Sequence, residues 1–202
     1  MTFIMASNNQ DKLKEMRTIL SELGFSVKSQ GEAGITLEAE ETGETFYANA
    51  YLKAEAAMKA SGMPAVADDS GLMVEALNGE PGVHSKRYGG EGLTDDDRNA
   101  LLLRHMEAKE HRAAKFVSSI VCVFPNGGIV SAEGVCEGTI LHKPCGDGGF
   151  GYDPIFFVAG AEKSMAELAP YEKNRVSHRG KALRAFEPKL RDYLKKAGKT
   201  TC

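Results

Sequence analysis

The order of the predicted elements in the first third of the chain constrains the fold more than any other feature. A short apolar run at residues 2–6 is followed by an amphipathic segment that stops at Gly24, with apolar side chains spaced by three or four residues: Leu13, Met16, Ile19, Leu20 and Leu23. After an extended stretch near 25–27, a second helix is predicted over about 45–61, and a brief strand at 64–67 follows it. Strands that alternate with helices in this way are typical of an α/β fold.

A predicted hairpin later in the chain adds antiparallel pairing. Residues 114–124 and 129–140 are rich in β-forming side chains, and the segment between them, Pro-Asn-Gly-Gly, contains the Asn-Gly pair that is a strong hairpin signal. Parallel pairing between the early strands and antiparallel pairing here predict a mixed β-sheet flanked by helices.

Further elements complete the secondary-structure prediction. A helix over about 94–109 starts with Thr, a common N-cap residue, followed by three Asp residues. A strand is predicted at 155–158, and residues 164–167 have the form of a capping box. A final helix covers 177–194, where Pro188 predicts a kink or a split.

Composition bounds the number of domains and excludes several classes of protein. The 202 residues, 42% of them hydrophobic, predict one two-lobed domain over 1–202 with a sizeable core. With 25 Lys and Arg residues against 28 Asp and Glu residues, the net charge is −3, which favours neither a nucleic acid nor a membrane as partner. No signal peptide or membrane span is recognisable, and the 4 cysteines form no Cys-x-x-Cys pair, so a cytoplasmic location is predicted.

The first candidate site is the loop between the first strand and the first helix, Ser7-Asn8-Asn9-Gln10-Asp11-Lys12. Free N–H groups and the positive end of the helix dipole favour an anion at such a loop, and Lys12 adds a positive charge. The pattern predicts a phosphate cradle. An ordinary loop, in which Asn or Asp caps the helix and Lys12 is a surface residue, stays equally open because no Walker motif is present.

The second candidate site is the acidic pair Asp68 and Asp69. The pair follows Ala-Val-Ala directly, so residues 68–71 are predicted as a turn at a strand end, and an acidic group precedes the second helix: Glu38, Glu40, Glu41 and Glu44. Mg²⁺ uses one or two carboxylates together with phosphate oxygens and water, so the pair suits a magnesium site. The alternatives are an Asx-type turn for the aspartates and a solvated loop for the glutamates.

The third candidate site is the glycine-rich segment 148–154, whose backbone can approach a ligand closely. Phe150 would stack on a base, and Asp153 would accept hydrogen bonds from ring N–H groups. In the alternative interpretation, Phe150 and Tyr152 anchor the loop in the core.

The fourth candidate combines Lys173 with the segment 177–181, Ser-His-Arg-Gly-Lys. Ser177 as N-cap would place His178 and Arg179 in the first helical turn, where basic groups oppose the helix dipole. Such a placement makes sense if an anion or a carbonyl group lies there. A basic surface turn is the alternative.

Other chemistries lack the necessary spacing. His142 and Cys145 have no second pair at zinc spacing, and no base is paired with Cys145. Ser70 lacks the Gly-x-Ser-x-Gly turn of an acyl-transfer nucleophile.

Taken in order, the motifs resemble the inosine/xanthosine triphosphate pyrophosphatase family, in particular its bacterial branch of dITP/XTP pyrophosphatases. Six motifs between residues 7 and 182 carry the resemblance: Ser7-Asn8-Asn9-x-x-Lys12, Glu40-Glu41-Thr42-Gly43, Ala67-Asp68-Asp69-Ser70-Gly71-Leu72, Pro81-Gly82, Gly148 to Pro154, and Ser177-His178-Arg179-Gly180. One departure is Ser7-Asn8, where the family usually has Thr-Gly. Asn8 must then reach the backbone angle that the glycine supplies, and Asn tolerates left-handed geometry better than most residues.

The resemblance implies a two-lobed α/β fold with a nucleotide cleft between the lobes, a homodimer, a Mg²⁺ requirement, and hydrolysis of ITP, dITP or XTP to the monophosphate and pyrophosphate. It implies that Glu41 and Asp69 bind metal and that Lys12 and either Asp68 or Asp69 act in catalysis. The residues implied to contact the substrate are Ser7, Asn8, Asn9, Gln10, Asp11, Lys12 and Lys53 at the triphosphate, Ser70, and Phe150, Gly151, Tyr152, Asp153, Lys173, His178 and Arg179 at the base and sugar.

The residues are consistent with a mechanism for this reaction. Mg²⁺ would neutralise the phosphates, Lys12 would position them, and a carboxylate would orient a water in line with the α-phosphorus. A donor from His178 or Arg179 would favour a 6-keto oxygen over the amino group of adenine. Two alternatives stay open: a pyrophosphatase that removes pyrimidine or modified nucleotides, and a nucleotide-binding sensor that does not hydrolyse its ligand.

Overall fold

A computed structural model of the chain describes residues 1–22, 24–36 and 39–198. Leu23 of the predicted first helix, Glu38 of the acidic group and the fourth cysteine, Cys202, lie outside these residues. The strands are β1 (Thr2–Met5), β2 (Ser26–Ser29), β3 (Ala65–Val74), β4 (Ala113–Val123), β5 (Ile129–Ile140), β6 (Phe156–Val158) and β7 (Lys163–Ser164). The α-helices are α1 (Gln10–Glu22), α2 (Phe46–Ser61), α3 (Asp95–His105), α4 (Pro170–Val176) and α5 (His178–Lys196).

All the described strands belong to one mixed sheet with the order β2-β1-β3-β4-β5-β6-β7. Strand β1 pairs in parallel with both β2 and β3, and the connections through α1 and α2 are the helical crossovers that parallel strands require. Strands β5, β6 and β7 pair antiparallel. The predicted α/β class with a mixed sheet is therefore confirmed.

The chain divides into two compact units, of which unit 1 comprises residues 1–69, 118–134 and 179 onward. In unit 1, alternate side chains of β1 enter different cores: Phe3 and Met5 pack with residues of α1 and α5, whereas Ile4 packs with the alanines of α2. Strand β4 divides its side chains in the same way. Successive side chains of a strand point to opposite faces, so unit 1 has helices on both faces of its strands.

Unit 2 comprises residues 70–117 and 135–178 and has a core of its own. Leu72 of β3, Leu102 of α3, and Phe116 of β4 pack there with Ile140 of β5 and Phe156 of β6. Thr94 caps α3 in a full capping box with Asp97, as the sequence predicts. No helix of the described residues is long and apolar enough to cross a membrane.

The prediction of a turn at residues 68–71 is wrong, because β3 runs without a break from Ala65 to Val74. Asp and Gly are rare within strands, and the sequence therefore predicted that the strand ends before Asp68. Here Asp68 and Asp69 lie in the middle of the strand, where charged side chains from the helices compensate their burial. Tertiary partners thus override the local preference.

Two predicted helices differ in extent from the observed ones. Helix α3 ends at His105 rather than near Lys109, since Met106 already bonds to the carbonyls of the last turn and is the last buried apolar residue of this segment. Helix α5 is not split at Pro188 and continues to Lys196. Core residues before and after Pro188 belong to one cluster, which holds both halves of the helix: Ala182, Leu183, Phe186, Leu190 and Leu194.

Helix α4 was not predicted. It begins with Pro170 as its first residue, and the Glu172 side chain accepts a hydrogen bond from the Ala169 N–H at 2.9 Å. Pro at the first helical position with Glu two residues later is a signal for a helix start. The segment is too short to show a helical pattern of apolar residues.

Candidate functional site

The loop before α1 is closed by its own side chains. The Asn9 side-chain oxygen accepts a hydrogen bond from the Lys12 N–H at 3.0 Å, and the Asn9 N–H donates to the Ser7 hydroxyl oxygen at 3.2 Å. Asn9 therefore caps the helix, as the ordinary-loop alternative expects. Lys12, however, is not a surface residue: its side chain is 16% exposed, and its ammonium lies 3.0 Å from an oxygen of Asp68.

The remaining loop residues, Asn8, Gln10 and Asp11, are exposed. Asn8 does not take the left-handed backbone expected of it, because the described non-glycine residues with positive φ are Asn78 and Glu162. The loop therefore keeps its course without the special geometry that a glycine at this position would permit.

Asp68 is a fully engaged carboxylate in the middle of β3. One oxygen accepts from the Ser118 hydroxyl at 2.5 Å, and the other meets Lys12 and the Arg179 guanidinium, whose Nη2 lies at 3.0 Å. Burial alone would raise the pKa of Asp68, but the charges of Arg179 and Lys12 hold it well below its usual range. Asp68 is therefore ionised at neutral pH and is a poor proton acceptor.

Arg179 connects this carboxylate to a second one. Its guanidinium is 1% exposed and also pairs with Glu15, which lies three residues after Lys12 on α1. Burial opposes the charge of Arg179, but Asp68 and Glu15 raise its pKa further above the ordinary value. The four side chains form a buried network of alternating charge.

Asp69 has different surroundings because the next residue of a strand points to the opposite face. One carboxylate oxygen accepts from the Lys53 ammonium at 2.7 Å, and the other lies 3.4 Å from the Asn49 side-chain nitrogen. Lys53 also reaches Glu41 at 3.1 Å and the backbone carbonyl of Asp68. Glu41, 12 positions before Lys53, and Asp69, 16 positions after it, thus meet at the Lys53 ammonium.

The charge state of this second group also differs from that of Asp68. Burial raises the pKa of Asp69, and the charges of Lys53 and Lys12 offset the effect only in part. Burial opposes the charge of Lys53, but Asp69 and Glu41 raise its pKa. Asp69 is therefore the more basic of the two neighbouring aspartates.

The carboxylates of Glu41 and Asp69 are the residues that fit a divalent cation. Among the described residues, no group of three or more His, Cys, Asp or Glu side chains is arranged to hold a metal ion. The Glu41 and Asp69 carboxylates meet at one ammonium group, that of Lys53. Two carboxylates placed around one positive charge fit the chemistry of Mg²⁺, which completes its shell with water and phosphate oxygens. Glu40 and Glu44 of the acidic group are exposed.

A second cluster lies in unit 2 around Lys173. Its ammonium is 2.8 Å from an oxygen of Asp153 and 4.5 Å from the centroid of the Phe150 ring. The same Asp153 oxygen accepts from the Phe150 N–H at 2.9 Å. A Cβ on Gly149, which has a φ of +75°, would lie 2.1 Å from this oxygen, so the loop requires glycine there.

The following residues fix the glycine-rich loop from two sides. The Gly151 N–H donates to Asp95, and its carbonyl accepts from Asn99, both on α3. Tyr152 is buried, and its hydroxyl donates to the Ser85 carbonyl at 2.8 Å. Tyr152 thus has the position of a loop anchor, the alternative that the sequence left open.

The neighbours His178 and Arg179 diverge, because successive residues of a helix point about 100° apart. The His178 ring is buried and stacks on Phe116 in unit 2, with centroids 4.7 Å apart and planes inclined by 14°. Arg179 instead meets Asp68 and Glu15 in unit 1. The anions that compensate a basic residue at the start of this helix therefore belong to the protein itself, and contact of Arg179 with a base stays a prediction.

Three site residues escaped the sequence reasoning: Glu15, Asn49 and Ser118. Helical spacing held a signal for two of them, because Glu15 follows Lys12 by three positions and Asn49 precedes Lys53 by four. Ser118 lies in an apolar strand where nothing local marks it. Ser70, predicted to contact ligand, is half-buried in β3.

The chain is similar to known proteins along nearly its whole length. The model of the Ham1 family matches residues 3–189. A dITP/XTP pyrophosphatase from Desulfotalea psychrophila is 46% identical over 192 residues, which is 95% of this chain and 86% of that protein. One of the same name from Thermus thermophilus is 47% identical over 195 residues, 95% of this chain and 93% of that protein.

Solved structures give the same result. A HAM1 protein from Coxiella burnetii is 42% identical with a TM-score of 0.87, covering 95% of this chain and 99% of its own. The Ham1 protein of Staphylococcus aureus is 39% identical with a TM-score of 0.86, covering 96% and 100%. The family resemblance predicted from the ordered motifs is therefore confirmed, and the chain belongs to the Ham1 family.

Proposed function

We propose that the chain is a Mg²⁺-dependent pyrophosphohydrolase that converts ITP, dITP and XTP to the nucleoside monophosphate and pyrophosphate. This activity would remove deaminated purines from the nucleotide pool. The observation that carries the proposal is the division of labour between consecutive carboxylates of β3: Asp68 is locked by Lys12 and Arg179, whereas Asp69 has a raised pKa and lies beside Lys53 and Glu41. The names of the relatives support the substrate class.

Unit 1 would bind the triphosphate. Lys12 is held on Asp68 at the start of α1, where the helix dipole and the exposed loop residues favour an anion. Asp68 and Arg179 are buried, so the carboxylate that holds the Lys12 ammonium is itself fixed in position. Lys12 and Lys53 thus supply positive charge to the phosphates from defined positions.

Asp69 is the group that would orient and deprotonate the attacking water. In the metal-free protein burial raises the pKa of Asp69, whereas Arg179 and Lys12 keep Asp68 ionised and engaged, so Asp69 is the better proton acceptor of the two. When bound by Glu41 and Asp69, Mg²⁺ supplies charge neutralisation at the phosphate oxygens. The water adds to the α-phosphorus, the bond to the β-phosphate oxygen breaks, and pyrophosphate leaves.

The Lys173 cluster in unit 2 would read the base. The Phe150 ring offers a stacking surface, and the Lys173 ammonium beside it is a donor without acceptor capacity. A 6-keto oxygen can accept from such a donor, whereas the 6-amino group of adenine cannot. Asp153 holds both Lys173 and the Phe150 backbone in place.

A panel of nucleoside triphosphates, assayed for pyrophosphate release with and without Mg²⁺, tests the proposal. We expect dITP, ITP and XTP to be hydrolysed far faster than dATP, and only with Mg²⁺. Preference for dUTP or dTTP would favour the pyrimidine alternative. Binding of dITP without release of pyrophosphate would favour a sensor.

Two further properties belong to the proposal. The family resemblance favours a homodimer, which light scattering of the purified protein tests directly. The low cysteine content without Cys-x-x-Cys pairs favours a cytoplasmic location.

A further inference from the structure

Asn49 is a buried polar residue that the mechanism above does not use. It lies on α2 with 0% of its surface exposed, and both ends of its amide are engaged. The side-chain oxygen accepts from the Gly43 N–H at 2.7 Å, and the side-chain nitrogen faces an oxygen of Asp69 at 3.4 Å. A backbone N–H can only donate and a carboxylate can only accept, so these partners fix the orientation of the amide.

The contact with Gly43 holds the acidic segment against α2. A Cβ on Gly43 would lie 2.7 Å from the Cβ of Ala48 and 2.8 Å from the Asn49 oxygen, so the backbone passes directly over the first turn of the helix. Glu41 precedes Gly43 by two residues, a span of at most about 7 Å. Fixing Gly43 therefore confines Glu41.

The contact with Asp69 acts on the other carboxylate. Lys53 lies one turn after Asn49 on the same face of α2, and the two side chains take separate oxygens of Asp69. Asn49 thus joins Asp69 to the backbone of the segment that carries Glu41, whereas Lys53 joins the two carboxylates directly.

We propose that Asn49 is a positioning residue that sets the separation of the Glu41 and Asp69 carboxylates and thereby the affinity of the protein for a divalent cation. This inference rests on the proposed function. Groups that orient metal ligands from the next layer typically change metal affinity by about 10-fold to 100-fold when they are removed.

The test measures binding of Mn²⁺ alone to the purified nucleotide-free protein, with free Mn²⁺ followed by electron paramagnetic resonance. We expect Asn49→Ala to weaken Mn²⁺ binding about tenfold or more. Gly43→Ala should weaken it similarly, because the added methyl group would lie too close to Ala48 and to the Asn49 oxygen and so displaces the segment that carries Glu41. Gly43→Ala also keeps the inference testable if Asn49→Ala does not fold.

Thr45→Ala is the matched control. Thr45 caps α2 by accepting from the Ala48 N–H at 3.1 Å, so its loss weakens the same helix without touching either carboxylate. We expect Mn²⁺ binding within about twofold of the wild type for this variant, since none of the metal-orienting contacts change. Mn²⁺ binding by Asn49→Ala equal to that of Thr45→Ala would overturn the inference.

Failure of the underlying proposal has a different signature. If Glu41→Gln and Asp69→Asn both bind Mn²⁺ as the wild type does, or if the wild type binds none, the metal role of these carboxylates is wrong and the inference falls with it. If both variants lose binding while Asn49→Ala and Gly43→Ala keep it, only the role of Asn49 is wrong.

Discussion

The two units of the chain hold their charged side chains in different ways. In unit 1, Lys12, Asp68, Arg179 and Glu15 form a buried network, and Lys53 joins two further carboxylates. In unit 2, the cluster contains the ion pair of Lys173 with Asp153 beside an aromatic ring and a loop held by backbone hydrogen bonds. Fixed charges suit a polyphosphate, whereas one donor beside a flat ring suits discrimination between bases.

The strongest test of this comparison is Asp69→Asn. We expect kcat to fall about 10³-fold or more, because the variant loses the group that orients and accepts a proton from water. Thermal unfolding should stay close to that of the wild type, within about 1 kcal/mol, since an isosteric amide retains the packing. A steady-state assay with dITP and Mg²⁺ decides the matter, and a nearly normal rate would refute the role of Asp69.

Asp68→Asn should separate the neighbouring carboxylate by its effect on stability. The substitution leaves Arg179 and Lys12 buried with their charges poorly compensated, and breaking such a buried pair typically costs about 3–5 kcal/mol. Urea denaturation measures the loss. If Asp68→Asn were as stable as Asp69→Asn, the view of Asp68 as a structural anchor would be wrong.

The pH dependence of stability should have opposite signs for the two aspartates. The pKa of Asp68 is lowered in the folded state, so its contribution is present above the ordinary value of 3.8 and is lost as the pH falls below that value. The pKa of Asp69 is raised, so its ionisation weakens the fold as the pH rises above 3.8. Unfolding curves of the wild type and both Asn variants between acidic and neutral pH test these signs.

In unit 2, Lys173→Met should lower the selectivity for dITP over dATP. We expect kcat/KM for dITP to fall about tenfold or more, with little change for dATP, because the lost donor serves only a keto oxygen. The methionine keeps much of the apolar stem packed beside Phe150. Equal losses for both nucleotides would show that Lys173 supports the loop rather than reads the base.

Tyr152→Phe should have the smallest effect. Loss of the hydroxyl leaves the Ser85 carbonyl without this donor and should cost about 1 kcal/mol of stability, with selectivity for dITP unchanged. Parallel measurements of unfolding and of the dITP to dATP ratio check this. A changed ratio would instead support the prediction that Tyr152 contacts the substrate.

Local patterns predicted most of the fold because periodicity, caps and turn residues act over a few positions. The continuity of β3 could not be found in this way, since the partners that compensate the burial of Asp68 are distant in sequence: Arg179 lies 111 positions later and Ser118 lies 50 positions later. The predicted turn also hid the alternation of the strand, which is what sends Asp68 and Asp69 to different helices.

The same limit applies to the candidate site. The motifs indicated Lys12 and Glu41, and the family resemblance implied Lys53. These side chains do come together in unit 1 with the two aspartates. The motifs did not predict that Arg179 pairs with Asp68 and Glu15, because the sequence does not reveal in which direction a helical residue points. The spacing of Asn49 and Lys53 places both residues on one face of a helix, but the role of Asn49 also depends on the folded segment around Gly43, which no local pattern reveals.

The burial of Arg179 bears on how the protein would respond to ionic strength. Mobile counter-ions screen the attraction between exposed charges that lie farther apart than a Debye length, about 8 Å at physiological salt, but they screen a buried pair much less. Added electrolyte should therefore slow the capture of a charged ligand at the rim of the α1 loop while the guanidinium and its carboxylates keep their places. Salt should therefore change the rate of ligand binding and leave the buried ion pairs of Arg179 unchanged.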